Sequence, residues 1–187
     1  MTECRNLKLI IQELAENAKV IDNDQLIEAE KLIREADRIF IAGAGRSGFA
    51  ARGFANRLMH LGFHSFFVGE PTTPSIQRGD LIVIGSGSGN TASLVSMAKK
   101  AKSQGAKLVT LTIFPENTIG SFADVIIQIP GVTSKADNEQ EEPDSIQPKG
   151  NSFEQLSWLI YDSMIIDLKR ETGQTEEQMF ARHANLE

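Results

Sequence analysis

Residues 38–48, RIFIAGAGRSG, and residues 80–91, DLIVIGSGSGNT, follow one pattern: an apolar, β-prone run breaks into glycines and hydroxyl residues, and a helical pattern comes next. Runs such as LIVI are apolar at every position rather than at alternate ones, which suits strands covered on both faces, as in parallel sheets. Working outward, five strands are predicted, at Arg38–Ala42, Ser65–Val68, Asp80–Ile84, Lys107–Ile113 and Val125–Ile129. Helices are expected near Ser47–Leu61 and Thr91–Gln104, with a single turn at most at Ser121–Ala123. Strands alternating with helices are βαβ units, so the fold class is α/β: a five-stranded parallel sheet flanked by helices in an αβα sandwich.

Helices also flank this core. Leu7, Ile11, Leu14, Ala18 and Ile21 recur at helical spacing, and after the turn-forming Asp22-Asn23-Asp24 a second stripe follows in Leu26, Ala29, Ile33 and Ala36. Ser134 to Lys149 is acidic, carries two prolines and has almost no apolar content, which predicts a loop. The helix expected from Phe153 to about Lys169 is apolar around nearly its whole circumference, so it seeks burial on more than one side, the second of which another subunit would supply. A last helix, Thr175 to about Arg182, opens on the capping box Thr175-x-x-Gln178 and leads into the tail HANLE. All 187 residues are expected to form one domain: helices over 1–36, the parallel core over 38–130, a loop over 134–150 and helices over 151–187.

With 41% hydrophobic and 24% charged residues and a formal charge of −6, the composition is that of a globular protein. No Lys/Arg run exceeds two residues, which argues against nucleic-acid binding by phosphate neutralisation, and the apolar runs are strand-sized rather than membrane-spanning. The single cysteine, Cys4, can form neither an internal disulfide nor a metal cluster, and the N-terminus alternates charges as no signal peptide does, so a cytoplasmic location is expected.

The first loop, Gly43-Ala44-Gly45-Arg46-Ser47-Gly48, satisfies G-x-G-x-x-G between strand and helix, and Glu70 follows at the distance of a ribose contact. Taken alone, that is a dinucleotide site. The second loop, Gly85 to Thr91, points elsewhere: Gly85, Gly87 and Gly89 let a ligand approach the backbone, while Ser86, Ser88 and Thr91 supply hydroxyls beside a helix N-terminus. It makes a small phosphate cup, although a plain strand-to-helix turn with Ser or Asn as N-cap fits the same spacing. Glu154 sits at the start of the apolar helix, where low polarity and the positive helix end pull a carboxylate in opposite directions; Ser152-x-x-Gln155 also reads as an ordinary capping box. Glu70, at a strand end, is the competing carboxylate.

A Ser-Gly-Ser-Gly-x-Thr loop after one parallel strand, with Gly-x-Ser after the first, resembles sugar isomerase (SIS) domains. The stretches IAGAGRSGFAARGFANRLMHLGF, VGEPTTPSI, GDLIVIGSGSGNT, SIQPKGNSFEQ and MFARHANLE resemble the 6-phospho-3-hexuloisomerase family within them, over nearly the whole chain, with Lys149 and Asn151 departing from the family pattern. The resemblance implies interconversion of D-arabino-hex-3-ulose 6-phosphate and D-fructose 6-phosphate through a cis-enediol, the second step of the ribulose monophosphate route of formaldehyde fixation, with no metal and no cofactor. It implies Ser47, Ser86, Ser88 and Thr91 as phosphate anchor with Gly45, Gly87, Gly89 and Asn90 around them, and Glu154 as base. It also implies Arg46 near the phosphate or the enediolate, although an arginine paired with an acid of a neighbouring subunit fits equally well. His183, or else His60, is implied in ring opening, delivered by a neighbouring subunit, whereas His64 is expected at the surface. Partners implied are a phosphorylated hexulose, further copies in a homo-oligomer of tetramer size with sites at subunit interfaces, and functional coupling to a hexulose-phosphate synthase. The alternatives are another aldose–ketose phosphate isomerase or a non-catalytic sugar-phosphate-binding module.

Overall fold

A computed structural model of the protein describes residues 3–133 and 145–186, so most of the expected acidic loop, residues 134–144, lies outside the described residues. The strands are β1 (Ile39–Gly43), β2 (Ser65–Phe67), β3 (Leu81–Gly85), β4 (Lys107–Thr112) and β5 (Val125–Gln128). The helices are α1 (Arg5–Ala18), α2 (Asn23–Glu35), α3 (Gly45–His60), α4 (Ala92–Ser103), α5 (Asn151–Thr172) and α6 (Glu176–Phe180), with one 3-10 turn at Gly120–Phe122. Both the five strands and the six helices fall where the apolar periodicity places them, within a few residues at the ends. No helix among the described residues is long and apolar enough to cross a membrane.

All pairings are parallel, in the order β2-β1-β3-β4-β5. Because side chains alternate along a strand, each central strand feeds two cores. Ile39, Ile41, Leu81, Val83, Val109 and Leu111 pack against α2, α3 and α5. Phe40, Ala42, Ile82, Ile84 and Leu108 pack against α4. The chain thus leaves β1 for α3 on one face and leaves neighbouring β3 for α4 on the other. That reversal is a topological switch point, where open parallel sheets form a crevice beyond their carboxyl ends. Gly43 pairs with Gly85 in the register, so the two glycine loops emerge side by side at this point.

The glycines of the first loop have separate steric duties. A Cβ on Gly48 would lie 2.9 Å from the Gly43 carbonyl oxygen, so the pair lets α3 press against the end of β1. Gly45 has φ +58°, the left-handed conformation in which a side chain is strained, and it opens α3. Asp22 caps α2 by accepting from the Asp24 N–H at 2.9 Å. The capping box of α6 forms as expected, with both reciprocal bonds of Thr175 and Gln178. By contrast, the expected box at the start of α5 does not form. Its N-cap is Gly150, at φ +93°, and the Ser152 hydroxyl instead accepts from Asn17 Nδ2 at 3.0 Å, tying α5 to α1.

The predicted apolar faces are real and partly uncovered. Leu7 and Ile11 on α1, Phe49 on α3, and Trp158, Leu159 and Ile166 on α5 are exposed, while the opposite side of α5 is buried in the core. On that buried side a carboxyl is trapped: Glu30 of α2 is 3% exposed. Burial first, and then Asp167 and Glu171 across the helix contact, push its pKa up to about 7 against the opposing pull of Arg34 and Arg170. A raised folded-state value means that the stability is full below pH 4.5 and is lost as pH rises through about 7. Glu30→Gln is expected to raise the melting temperature at pH 8 by several degrees, roughly 2 kcal/mol, and to change it little at pH 4.5, as thermal unfolding at the two pH values will show.

Candidate active site

At the switch point lies a cleft of about 200 Å³. Three helix starts line most of it: Ala44 to Ser47 opening α3, Gly85 to Ser88 with Thr91 opening α4, and Lys149, Gly150, Phe153 and Glu154 opening α5, with Ile113 and Thr133 completing the wall. Three helix N-termini thus meet at one cavity, and each contributes unpaired N–H groups and roughly half a positive charge. That arrangement binds anions without a cluster of lysines.

The second loop is held from behind so that its hydroxyls face forward. Ser86 N–H donates to Leu111 O at 2.9 Å, Ile113 N–H to Gly87 O at 3.2 Å and Asn117 Nδ2 to Ser88 O at 2.7 Å. Ser86 is 3% exposed, and its hydroxyl has no hydrogen-bond partner within the protein. Buried hydroxyls are nearly always bonded, so one lining a cleft without a partner marks a place for a ligand acceptor. Ser88 is also buried, and its hydroxyl makes only a long contact, 3.4 Å, with the Asn90 N–H. Thr91 is the N-cap of α4 but makes no side-chain cap bond, which leaves its hydroxyl for the cleft. Gly87 admits α5 to the site: a Cβ there would lie 3.2 Å from Phe153 Cδ1.

Of the expected site residues, Gly45, Arg46, Ser47, Ser86, Gly87, Ser88, Thr91 and Glu154 meet at this cleft. Gly89 and Asn90 do not line it. Gly89 has φ +63° and packs against Asn117, and Asn90 Oδ1 accepts from the Thr118 N–H at 3.0 Å, so this pair braces the loop from outside. Arg46 and Glu154, 108 residues apart, are in direct contact, with Arg46 Nε donating to Glu154 Oε2 within one chain. The carboxylate is the better buried of the two, while the guanidinium is largely exposed. Glu70 lies elsewhere, on the edge-strand side, paired with Arg52, whose guanidinium stacks on Phe67 at 3.9 Å.

The histidines are outside this chain's cleft. His60 ends α3, thirteen residues after Ser47, so about 20 Å of helix separates it from the cleft end of that helix. It is buried and stacks on His183 of the C-terminal tail with ring centroids 5.0 Å apart. Burial, then Arg57 and His183, lower its pKa from the usual imidazole value. Arg182 clamps the tail there, donating to His60 O at 3.0 Å and Gln178 O at 3.1 Å. His64 is exposed, as expected.

Two polar residues of the cleft wall, Thr133 and Lys149, were not anticipated. Both border the acidic stretch, whose composition reads as solvated loop. The position of Lys149 directly before the Gly-Asn start of α5 was the available signal.

Residues 32–140 match the family model described as SIS domain. The chain belongs to the SIS domain family. This SIS domain is 47% identical over 178 residues to a 3-hexulose-6-phosphate isomerase of Bacillus subtilis, covering 95% of each chain. It is 37% identical to a 3-hexulose-6-phosphate isomerase of Mycobacterium gastri, covering 97% of this chain and 90% of the relative. Among solved structures it superimposes with a TM-score of 0.83 on a Methanococcus jannaschii protein whose crystal structure was described as inferring a molecular function of 3-hexulose-6-phosphate isomerase. The identity there is 34%, over 98% of this chain and 99% of that one.

Proposed function

We propose that this chain interconverts D-arabino-hex-3-ulose 6-phosphate and D-fructose 6-phosphate. The observation that carries it is the union, in one cleft, of a hydroxyl and helix-end cup sized for phosphate with a carboxylate held on the facing wall. A cavity of about 200 Å³ suits a sugar phosphate better than a dinucleotide. The relatives at 37% and 47% identity carry the same activity in their names.

In the reaction, Glu154 removes the proton from C2, the C–H pair forms the C2=C3 bond, and the carbonyl electron pair moves onto O3. The O2 proton passes to O3 as the carbonyl re-forms at C2, and Glu154 returns its proton to C3. Protons and electron pairs move between adjacent carbons, so the carbon skeleton needs no redox partner. Arg46 holds the carboxylate in place through its Nε contact. Ser47, Ser86, Ser88 and Thr91 hold the phosphate end.

The site is completed in a homo-oligomer of tetramer size. A groove of about 460 Å³ between α1, α3 and α5, lined by Leu7, Ile11, Phe49, Trp158 and Leu159, shares Arg46 and Glu154 with the cleft. A second copy seated on it would cover exposed apolar surface and wall the base off from water. It would also bring a His183 or His60 for ring opening, which no histidine of the same chain can reach. The setting is cytoplasmic, with the substrate supplied by a hexulose-phosphate synthase in the ribulose monophosphate route. The test couples formaldehyde and ribulose 5-phosphate through such a synthase, adds this protein and follows fructose 6-phosphate, with the active fraction sized by gel filtration. Fructose 6-phosphate formed only in the presence of this chain, in an oligomeric fraction, is the expected result. A silent protein rejects the function, and activity in a monomer rejects the shared site.

A further inference from the structure

We propose that the same site also interconverts a ketopentose 5-phosphate and its aldose, with D-ribulose 5-phosphate and D-arabinose 5-phosphate as the pair that its geometry selects. The distance from phosphate cup to base is set by side-chain contact. Phe153, the residue before Glu154, packs on Gly87 in the middle of the serine loop: a Cβ there would lie 3.2 Å from Phe153 Cδ1 and 3.5 Å from Ile113 Cδ1. Ile113 is in turn wedged against Gly131, where a Cβ would lie 3.4 Å from its Cδ1. Gly87, Ile113 and Phe153 all line the cleft. The base rides on the same helical turn, because the Glu154 N–H donates to Gly150 O at 3.1 Å and the Ser157 hydroxyl donates to Phe153 O at 2.7 Å. Cup and carboxylate are therefore the two ends of a packed ruler with little room to slide.

A fixed ruler recognises a pair of carbons by their distance from the phosphate, whatever lies beyond them. In the hex-3-ulose 6-phosphate the reacting carbons, C3 and C2, are three and four bonds from the phosphorylated C6. In a ketopentose 5-phosphate C2 and C1 are three and four bonds from the phosphorylated C5. Ribulose 5-phosphate is the hexulose phosphate without its C1 hydroxymethyl group, with the carbonyl and the two stereocentres on the phosphate side unchanged. Neither ketone can close a five-membered ring, since the hydroxyl in position to do so carries the phosphate, so both arrive open-chain and no ring has to be opened in this direction. Glu154 removes a proton from C1, the C–H pair forms the C1=C2 bond, and the carbonyl electron pair moves onto O2. The O1 proton passes to O2 as the carbonyl forms at C1, and Glu154 returns its proton to C2. Return on the face that gives fructose its C3 configuration gives the aldopentose the arabino configuration rather than the ribo. What is lost is the contact made by the hydroxymethyl group, which lowers turnover as well as binding.

The inference rests on the proposed hexulose phosphate activity, and the full chain is assayed on both substrates side by side. With D-ribulose 5-phosphate alone, without formaldehyde or synthase, NMR should show D-arabinose 5-phosphate as the first aldose formed, at a kcat/KM roughly 10- to 10³-fold below that for the hexulose phosphate. Glu154→Gln should lose both activities by a similar factor, and ribulose 5-phosphate should compete with the hexulose phosphate for the site. A parent chain active on the hexulose phosphate but inert on ribulose 5-phosphate overturns the inference and leaves the proposed function standing. Ribose 5-phosphate as the main aldose overturns it too, and so does pentose turnover that survives Glu154→Gln, which would belong to another site. A chain inert on both substrates rejects the function and this activity together.

Discussion

Glu154→Gln will bind fructose 6-phosphate as tightly as the parent chain or more tightly, and will isomerise it roughly 10²–10⁴-fold more slowly. Glutamine keeps the length of the side chain and an amide oxygen that can accept from Arg46 Nε, so the start of α5 retains its geometry. What it loses is basicity at the one carboxylate that lines the cleft among the described residues. It also leaves the positive charge of Arg46 without the opposing carboxylate charge, which adds attraction for a phosphorylated ligand. Binding and turnover therefore move in opposite directions, a result that simple misfolding cannot produce. Isothermal titration with fructose 6-phosphate and the coupled assay measure the two separately, and full activity in the variant would remove Glu154 from the role of base.

The parts of this molecule that local chemistry dictates were legible in the sequence. Four consecutive apolar residues at 81–84 predict a strand buried on both faces, and Ile82 and Ile84 indeed pack under α4 while Leu81 and Val83 pack under α3 and α5. The glycine loops could be read because their steric needs are met within a few residues, as Gly43 and Gly48 show. Pairings across long stretches of chain were not legible. Nothing near Arg46 announces Glu154, and nothing near His60 announces the ring of His183 stacked on it. Ser152 shows how a correct local rule loses to a tertiary partner: its spacing to Gln155 fits a capping box, but Gly150 can take the left-handed turn that starts α5 earlier, and Asn17 takes the hydroxyl. The resemblance implies Asn90 beside the ligand, whereas its side-chain oxygen accepts from the backbone N–H of Thr118. The stripe of Leu7 and Ile11 was visible as a pattern, and both side chains stay exposed.

The second large effect is expected from Ser86→Ala combined with Ser88→Ala. Hydrogen bonds to a charged group contribute roughly 1.5–3 kcal/mol each, so losing two should weaken recognition of the phosphorylated sugar by about 10² or more in kcat/KM. The direction of the stability change is what makes this pair informative. Ser86 Oγ is buried without a partner in the empty protein, a state that costs about 1–3 kcal/mol, and alanine removes that cost without leaving a space larger than the lost oxygen. Ser88 Oγ gives up only the long contact with the Asn90 N–H. The empty variant should therefore melt at the same temperature as the parent chain or above it, while the rise produced by fructose 6-phosphate disappears. A hydroxyl kept for local structure would show the reverse, a lower melting point with affinity intact. That outcome would place the phosphate cup outside this loop. Serine at 86 is thus read as a sacrifice of stability to ligand recognition, measurable in one pair of melting curves with and without the sugar phosphate.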